Sequence, residues 1–157
     1  MDVSIEPVRY EHKAVLRRLI QLYLYDFSEF EPLALTDHGE FDYRYLDHYW
    51  APEPGEGRYP FFIQAGGRPV GFALVRVLNG VHVVSEFFVM RGHRRGGIGT
   101  AAARALFSRL PGEWLVHQVP ANLPAQSFWR RVISSATRGD YAEVVDEGGV
   151  TQRFRVP

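Results

Sequence analysis

A chain of 157 residues is long enough for one domain with its own core, and 46% hydrophobic with 23% charged residues is the make-up of an ordinary globular protein. The formal net charge is zero and cysteine is absent, which argues against a nucleic-acid partner and removes disulfides, thiolate metal sites and a cysteine nucleophile together. No apolar run approaches the ~20 residues a membrane-crossing helix needs. The first twenty residues carry seven charges and no apolar leader core, so no membrane partner and a cytoplasmic location are expected.

Residues 3–9 alternate as a first strand, and residues 11–25 place Val15, Leu16, Leu19, Ile20, Tyr23 and Leu24 at helical spacing. Residues 27–40 read as loop, 41–50 as a short second helix stopped by Pro52, and 51–58 as a breaker-dense connection. The period then changes. Strands are expected over 59–65, 68–78 and 81–90, joined by Gly66-Gly67 and by Asn79-Gly80, a hairpin signal because both turn positions need positive φ. An Ala-rich helix over 98–110 is stopped by Pro111-Gly112. A strand over 113–119, a helix over 122–135 and a closing hairpin of 141–146 with 150–156 complete the chain.

Two charge clusters stand out against the neutral average. Between Asp26 and Glu56 lie nine carboxylates and one cation, Arg44. Between Arg91 and Arg95 lie three arginines, one histidine and no acid. These read either as solvated surface or as two subsites, one for a cation and one for an anion.

The second cluster opens a helix, and that placement carries chemistry. A helix start leaves backbone N–H groups without partners and holds about half a positive charge. Glycine lets such a backbone approach a phosphate with no Cβ in the way. Gly96, Gly97 and Gly99 supply the amides, Arg91, Arg94 and Arg95 the mobile charge, and Thr100 a hydroxyl, which together suit a diphosphate. The stretch from Gly97 to Ala102 also matches G-x-G-x-x-A, but the preceding strand sits in an antiparallel hairpin and no acid follows about 20 residues on. No Lys-Ser/Thr follows the glycines, so a P-loop is excluded as well.

Arg94-x-x-Gly97-x-Gly99 resembles the R/Q-x-x-G-x-G/A signature of the GNAT superfamily of N-acetyltransferases. Glu86-Phe87-Phe88-Val89-Met90 looks like the strand that enters that loop, and Asn122-x-x-Ala125-x-x-Phe128-Trp129 is similar to the family's N-x-x-A-x-x-F-Y helix. The resemblance implies an α/β (α+β mixed) fold, a mostly antiparallel mixed sheet of about six to seven strands flanked by about four helices. One domain over 1–157 is expected: 1–58 on the acceptor side, 59–110 with the central strands and diphosphate loop, and 111–157 with the closing strands and helix.

By the same resemblance the cofactor is acetyl-coenzyme A and the reaction is direct transfer of its acetyl group to an amine. Amides of Arg95, Gly96, Gly97, Ile98, Gly99 and Thr100 would hold the diphosphate, with Arg91 and Arg94 at its edge. Backbone at Phe88, Val89 and Met90 would pair with the pantetheine arm and polarise the thioester carbonyl, while Asn122 would touch the cofactor and Phe128 pack beside it. Glu86 is the expected general base, and Asp26, Phe27 and Glu29 the expected acceptor contacts. A cationic small molecule or peptide is the expected acceptor, since acids among aromatic faces suit a cation. Trp129 departs from the family pattern, because indole N–H cannot replace the tyrosine that commonly reprotonates the thiolate. A non-catalytic acyl-coenzyme A-binding or regulatory module is the alternative. The six histidines show no metal-ligand spacing, so no metal is assigned, and His82 and His117 are expected to be hydrogen-bonded structural residues. An edge strand at the C-terminus could pair with a second copy as a homodimer.

Overall fold

The structure, a computed structural model, describes residues 2–157. Seven strands form one sheet in the order β1-β2-β3-β4-β5-β7-β6. They are β1 (Val3–Pro7), β2 (Glu56–Ala65), β3 (Arg68–Leu78), β4 (Val81–Val89), β5 (Gly112–Gln118), β6 (Ala142–Asp146) and β7 (Gly149–Val156). Neighbours pair antiparallel except β4 and β5, which run parallel. Three α-helices accompany the sheet: α1 (Lys13–Phe27), α2 (Ile98–Arg109) and α3 (Leu123–Thr137).

Alternation along the strands divides the core in two, because successive side chains point to opposite faces. Phe61, Ile63, Ala73 and Val75 pack with Ala102, Leu106, Val132 and Ile133 of α2 and α3. Phe62, Phe72, Leu74 and Phe88 pack with Leu16, Leu19 and Ile20 of α1 and with Leu46 and Tyr49. The Asn79-Gly80 turn has φ of 50° and 77°, the positive pair that a tight hairpin requires. His82 bonds Glu113 O at 3.1 Å and stacks on Trp114, while His117 bonds Thr151 Oγ1 at 2.8 Å.

Three helices, not four, are present because the segment 41–50 does not coil as expected. Only Leu46–Tyr49 forms a 3₁₀ turn. The side-chain amide of Gln21 both donates to Phe41 O and accepts from Phe41 N–H, each at 2.8 Å, and Phe41 bridges Leu35. These contacts hold the Phe41 backbone in an extended bridge rather than a helical turn, and the Asp and Tyr residues that follow have weak helix preference. The breaker-dense connection is likewise shorter than expected, since Glu56 and Gly57 already pair with Leu78 and Val77.

Two irregularities shape the centre of the sheet. β4 and β5 pair only through Val81–Glu113, His82–Trp114 and Val83–Leu115, so the strands part beyond Val83. On the other side of β4 the register steps from Val84–Val75 to Glu86–Leu74, leaving Ser85 as an extra residue. A bulge of this kind re-aims the neighbouring side chains.

Candidate functional site

β4 leads directly into the arginine–glycine loop. After a 3₁₀ turn at Arg91–His93, Arg94 is extended, Arg95 and Gly97 are left-handed with φ of 67° and 82°, and α2 begins at Ile98. The first helical bond runs from Ala101 N–H to Gly97 O at 3.0 Å, and the N–H groups of Arg95 through Thr100 make no backbone hydrogen bond. Six consecutive donors at a helix start form a ready anion site.

The three glycines serve different ends. Gly97 satisfies a positive φ. A Cβ at Gly99 would lie 3.0 Å from the Phe128 ring, so this glycine allows α2 to close on α3. At Gly96 a Cβ would meet nothing within 4 Å, which leaves an open face toward solvent. Arg94 is tied down. Its Nε donates to Val89 O at 2.7 Å, its Nη2 to Asp26 at 2.6 Å, and its guanidinium lies 5.7 Å from the Phe88 ring centre.

Where β4 and β5 part, β4 has backbone groups to offer. Met90 N–H is not among them, because it donates to Val70 O at 2.8 Å. Antiparallel pairs alternate, so Phe88, two residues before, also turns its N–H toward β3, while Phe87 and Val89 turn theirs toward the gap. Of the three backbone positions expected at the cofactor arm, Val89 has the available donor. Asn122 acts as N-cap of α3, its side chain accepting from Ala125 N–H at 3.1 Å. Phe128 packs 5.7 Å from Phe87 and 5.0 Å from Trp129, whose indole reaches the cavity wall.

A cavity of ≈ 1060 Å³ runs from this gap across β4 to the 43–58 segment. Glu86 lies in its wall, one residue beyond the bulge. Burial among neighbouring side chains pushes its carboxyl up to about 7, against a smaller lowering by the nearby Tyr23 hydroxyl. Burial and then the charge of Glu86 hold the Tyr23 and Tyr43 hydroxyls well above their ordinary range, so both stay protonated. A carboxylate poised near neutrality beside two hydroxyls suits proton transfer.

The acidic segment is less available than its charge suggests. Asp26 bridges Arg91 and Arg94, Asp47 pairs with Lys13, Glu40 with Arg17, Asp42 with Arg44, and Glu56 with Arg58 and Arg76. Asp26 therefore faces the loop arginines rather than an acceptor. Glu29 is exposed and outside the cavity wall, whereas Phe27 lines the cavity beside Tyr23, with ring centres 5.8 Å apart.

Tyr23, Tyr49, Arg58, Arg76 and Ser85 also line this cavity and were not anticipated as site residues. One signal was legible: Arg76 interrupts the apolar run of its strand, and a charge there needs a partner. The meeting of Arg58 and Arg76 depends on the β2–β3 register, which makes them direct cross-strand partners.

Residues 18–133 match the model of the Acetyltransferase (GNAT) family. No curated protein matches the sequence. Among solved structures, an aminoglycoside acetyltransferase in complex with coenzyme A and kanamycin is 16% identical with a TM-score of 0.66, covering 98% of this chain and 95% of that one. PaiA N-acetyltransferase from Thermoplasma acidophilum, in complex with coenzyme A, is 9% identical with a TM-score of 0.62 over 99% of both chains. A tandem GNAT protein from the clavulanic acid biosynthesis pathway is 17% identical with a TM-score of 0.60, and the match covers 90% of this chain but 46% of that longer one. At these identities the likeness establishes the shared fold.

Proposed function

The chain belongs to the acetyltransferase (GNAT) family, and on that footing we propose that it is an N-acetyltransferase that uses acetyl-coenzyme A to acetylate an amine of a small molecule or peptide. The observation that carries this reading is the position of Glu86. A carboxyl poised near pH 7 lies on the same strand that delivers six free amides to a helix start. Two structural relatives that bind coenzyme A support the choice of cofactor.

The residues present fit that cofactor. Arg95 to Thr100 would hold its diphosphate by backbone N–H groups, and the open face at Gly96 admits close approach. The parted β4 and β5 leave room for a narrow arm bearing amide groups, to be paired as an added strand. When bound, acetyl-coenzyme A supplies an acetyl thioester whose C–S bond breaks as the N–C bond to the acceptor forms.

Each side chain then has a defined task. Glu86, as carboxylate, takes a proton from the acceptor ammonium and so exposes the nitrogen lone pair. The Tyr23 hydroxyl lowers that carboxyl against the larger rise caused by burial and so favours its ionised form. Val89 N–H is the donor available to the thioester carbonyl oxygen, where negative charge develops. No side-chain acid is required for the departing thiolate, because a thiol near pKa 8.5 is a good leaving group and Trp129 offers none.

The alternative is a non-catalytic acyl-coenzyme A-binding module, favoured by Trp129 in the place of an acid. Thiol release from acetyl-coenzyme A across a panel of amines separates the two. Saturable release with at least one amine, lost in Glu86→Gln while coenzyme A still binds, supports the enzyme. Binding with no release for any amine supports the module.

A further inference from the structure

Among the described residues, four buried side-chain polar atoms have no partner at full hydrogen-bond geometry: Tyr49 Oη, Arg58 Nε, Arg76 Nε and Ser85 Oγ, although the Tyr49 hydroxyl lies close to Ser85 and Arg58, and Arg76 Nε faces Glu56. All four residues line the same cavity as Glu86. Buried polar groups are normally satisfied, so an unsatisfied cluster calls for an explanation.

The cluster has a uniform character. Guanidinium Nε–H groups only donate, and the two hydroxyls can donate. Charge points the same way. Arg58 Nη2 lies 2.6 Å from Glu56 Oε1 and Arg76 Nε 3.4 Å from the same oxygen, so two guanidinium cations share one carboxylate and one positive charge is left over. The Arg58 side chain is only 7% exposed and lies 4.9 Å from the Tyr49 ring centre, which fixes it in place. Arg58 and Arg76 are cross-strand partners, and Arg76 is two residues from Leu74, the partner of Glu86. Residues two apart share a face, so the arginines and Glu86 occupy one side of the sheet with backbones about 7 Å apart along the strand.

We propose that the acceptor is an amino acid or close analogue, whose carboxylate is held by Arg58, Arg76, Tyr49 and Ser85 while its amine faces Glu86. The inference rests on the transferase reading and narrows it. A planar carboxylate accepts paired hydrogen bonds from guanidinium groups and neutralises the surplus charge. Polyamines and aminoglycosides carry only further positive charge to that end of the cavity. Of the acids in the 26–56 segment only Glu53 and Glu56 line the cavity, and Glu56 is already paired, so a wholly cationic acceptor keeps only Glu53 of its expected counter-charges.

The test compares amino acids with the amines that lack only the carboxylate, and with spermidine and kanamycin, by thiol release from acetyl-coenzyme A. Calorimetric binding of each compound to the coenzyme A-loaded protein is measured in parallel. At least one amino acid is expected to exceed its decarboxylated amine by about 100-fold in kcat/KM, since a site built for a polar group rejects the analogue lacking it. Arg76→Gln, at a partly exposed position, is expected to raise KM for the amino acid with kcat little changed and to erase most of that preference. Ser85→Ala is expected to weaken the preference without disturbing the arginines. Equal or better turnover of decarboxylated amines, spermidine or kanamycin overturns the carboxylate subsite and leaves the transferase intact. Amino-acid binding that depends on Arg76, with no turnover of any compound, upholds the subsite and removes the transferase. Failure of every amino acid both to bind and to turn over overturns the subsite.

Discussion

Asp26 Oδ2 accepts a hydrogen bond from Arg94 Nη2 at 2.6 Å, joining the C-terminal turn of α1 to the arginine–glycine loop across 68 positions of sequence. The other oxygen accepts from Arg91 Nε at 2.8 Å. Although burial alone would raise the Asp26 carboxyl, the hydrogen bonds from Arg94 and Arg91 outweigh it and lower it below its ordinary value. The acid thus fixes two arginines and also subtracts charge from an anion site.

Asp26→Asn should therefore act in two opposite directions. Stability should fall by about 1 kcal/mol, the scale of a partly exposed ion pair. Because the folded carboxyl is depressed, its contribution is present above the unfolded value near 3.8 and disappears as pH falls through the folded value. Denaturant titrations at pH 7 and pH 3 should show the full deficit at the first and a smaller one at the second. Coenzyme A should bind the variant several-fold more tightly, with a steeper salt dependence.

As the proposed general base, Glu86 should set the pH dependence of turnover. A base must be ionised, so kcat/KM should rise through an apparent pKa of about 7. Glu86→Gln should lower kcat by roughly 10²–10⁴ with coenzyme A affinity retained. Tyr23→Phe removes the hydroxyl that lowers the carboxyl, so the rising limb should move to higher pH. A limb that stays in place in Tyr23→Phe would contradict the pairing.

The same carboxyl should cost stability. Its folded value of about 7 stands above the ordinary 4.5, so the fold disfavours the ionised form. The penalty is absent below pH 4.5 and complete above pH 7, where it is on the order of 3 kcal/mol at about 1.4 per pKa unit. Glu86→Gln should therefore melt higher than the parent at pH 8 and no higher at pH 4. Thermal denaturation at the two pH values checks it.

How much of this was legible in the chain follows from how local each signal is. The Asn79-Gly80 hairpin, the strand–loop–helix through Gly97 and the capped helix at Asn122 are written in adjacent residues, and all three elements stand where the spacing puts them. The 41–50 segment was misread because Gln21, twenty residues away, claims the backbone of Phe41. Asp26 was expected at the acceptor because its partners Arg91 and Arg94 lie across the fold. The Arg58–Arg76 pair needed a strand register, and Met90 needed its bond to Val70 before its amide could be ruled out. Long-range pairing decides which charges and amides remain free, and side-chain types alone do not report it.

Gly97 and Gly99 should separate by what each substitution disturbs. Gly97→Ala places a side chain at φ 82°, a strain of roughly 1–3 kcal/mol at the mouth of the loop. Gly99→Ala pushes on Phe128 at 3.0 Å and should loosen the α2–α3 contact. Adding Phe128→Leu should restore part of the stability lost in Gly99→Ala and none of that lost in Gly97→Ala, as read by denaturant unfolding.

The free amides between Arg95 and Thr100 are tested most directly by calorimetry with coenzyme A, dephospho-coenzyme A and pantetheine on the folded protein. Heat of binding is expected for the first two, which carry the diphosphate, and at least a hundredfold weaker binding for pantetheine, which does not. Equal affinity for pantetheine, or no heat with coenzyme A at millimolar concentration, would contradict a diphosphate site at the start of α2.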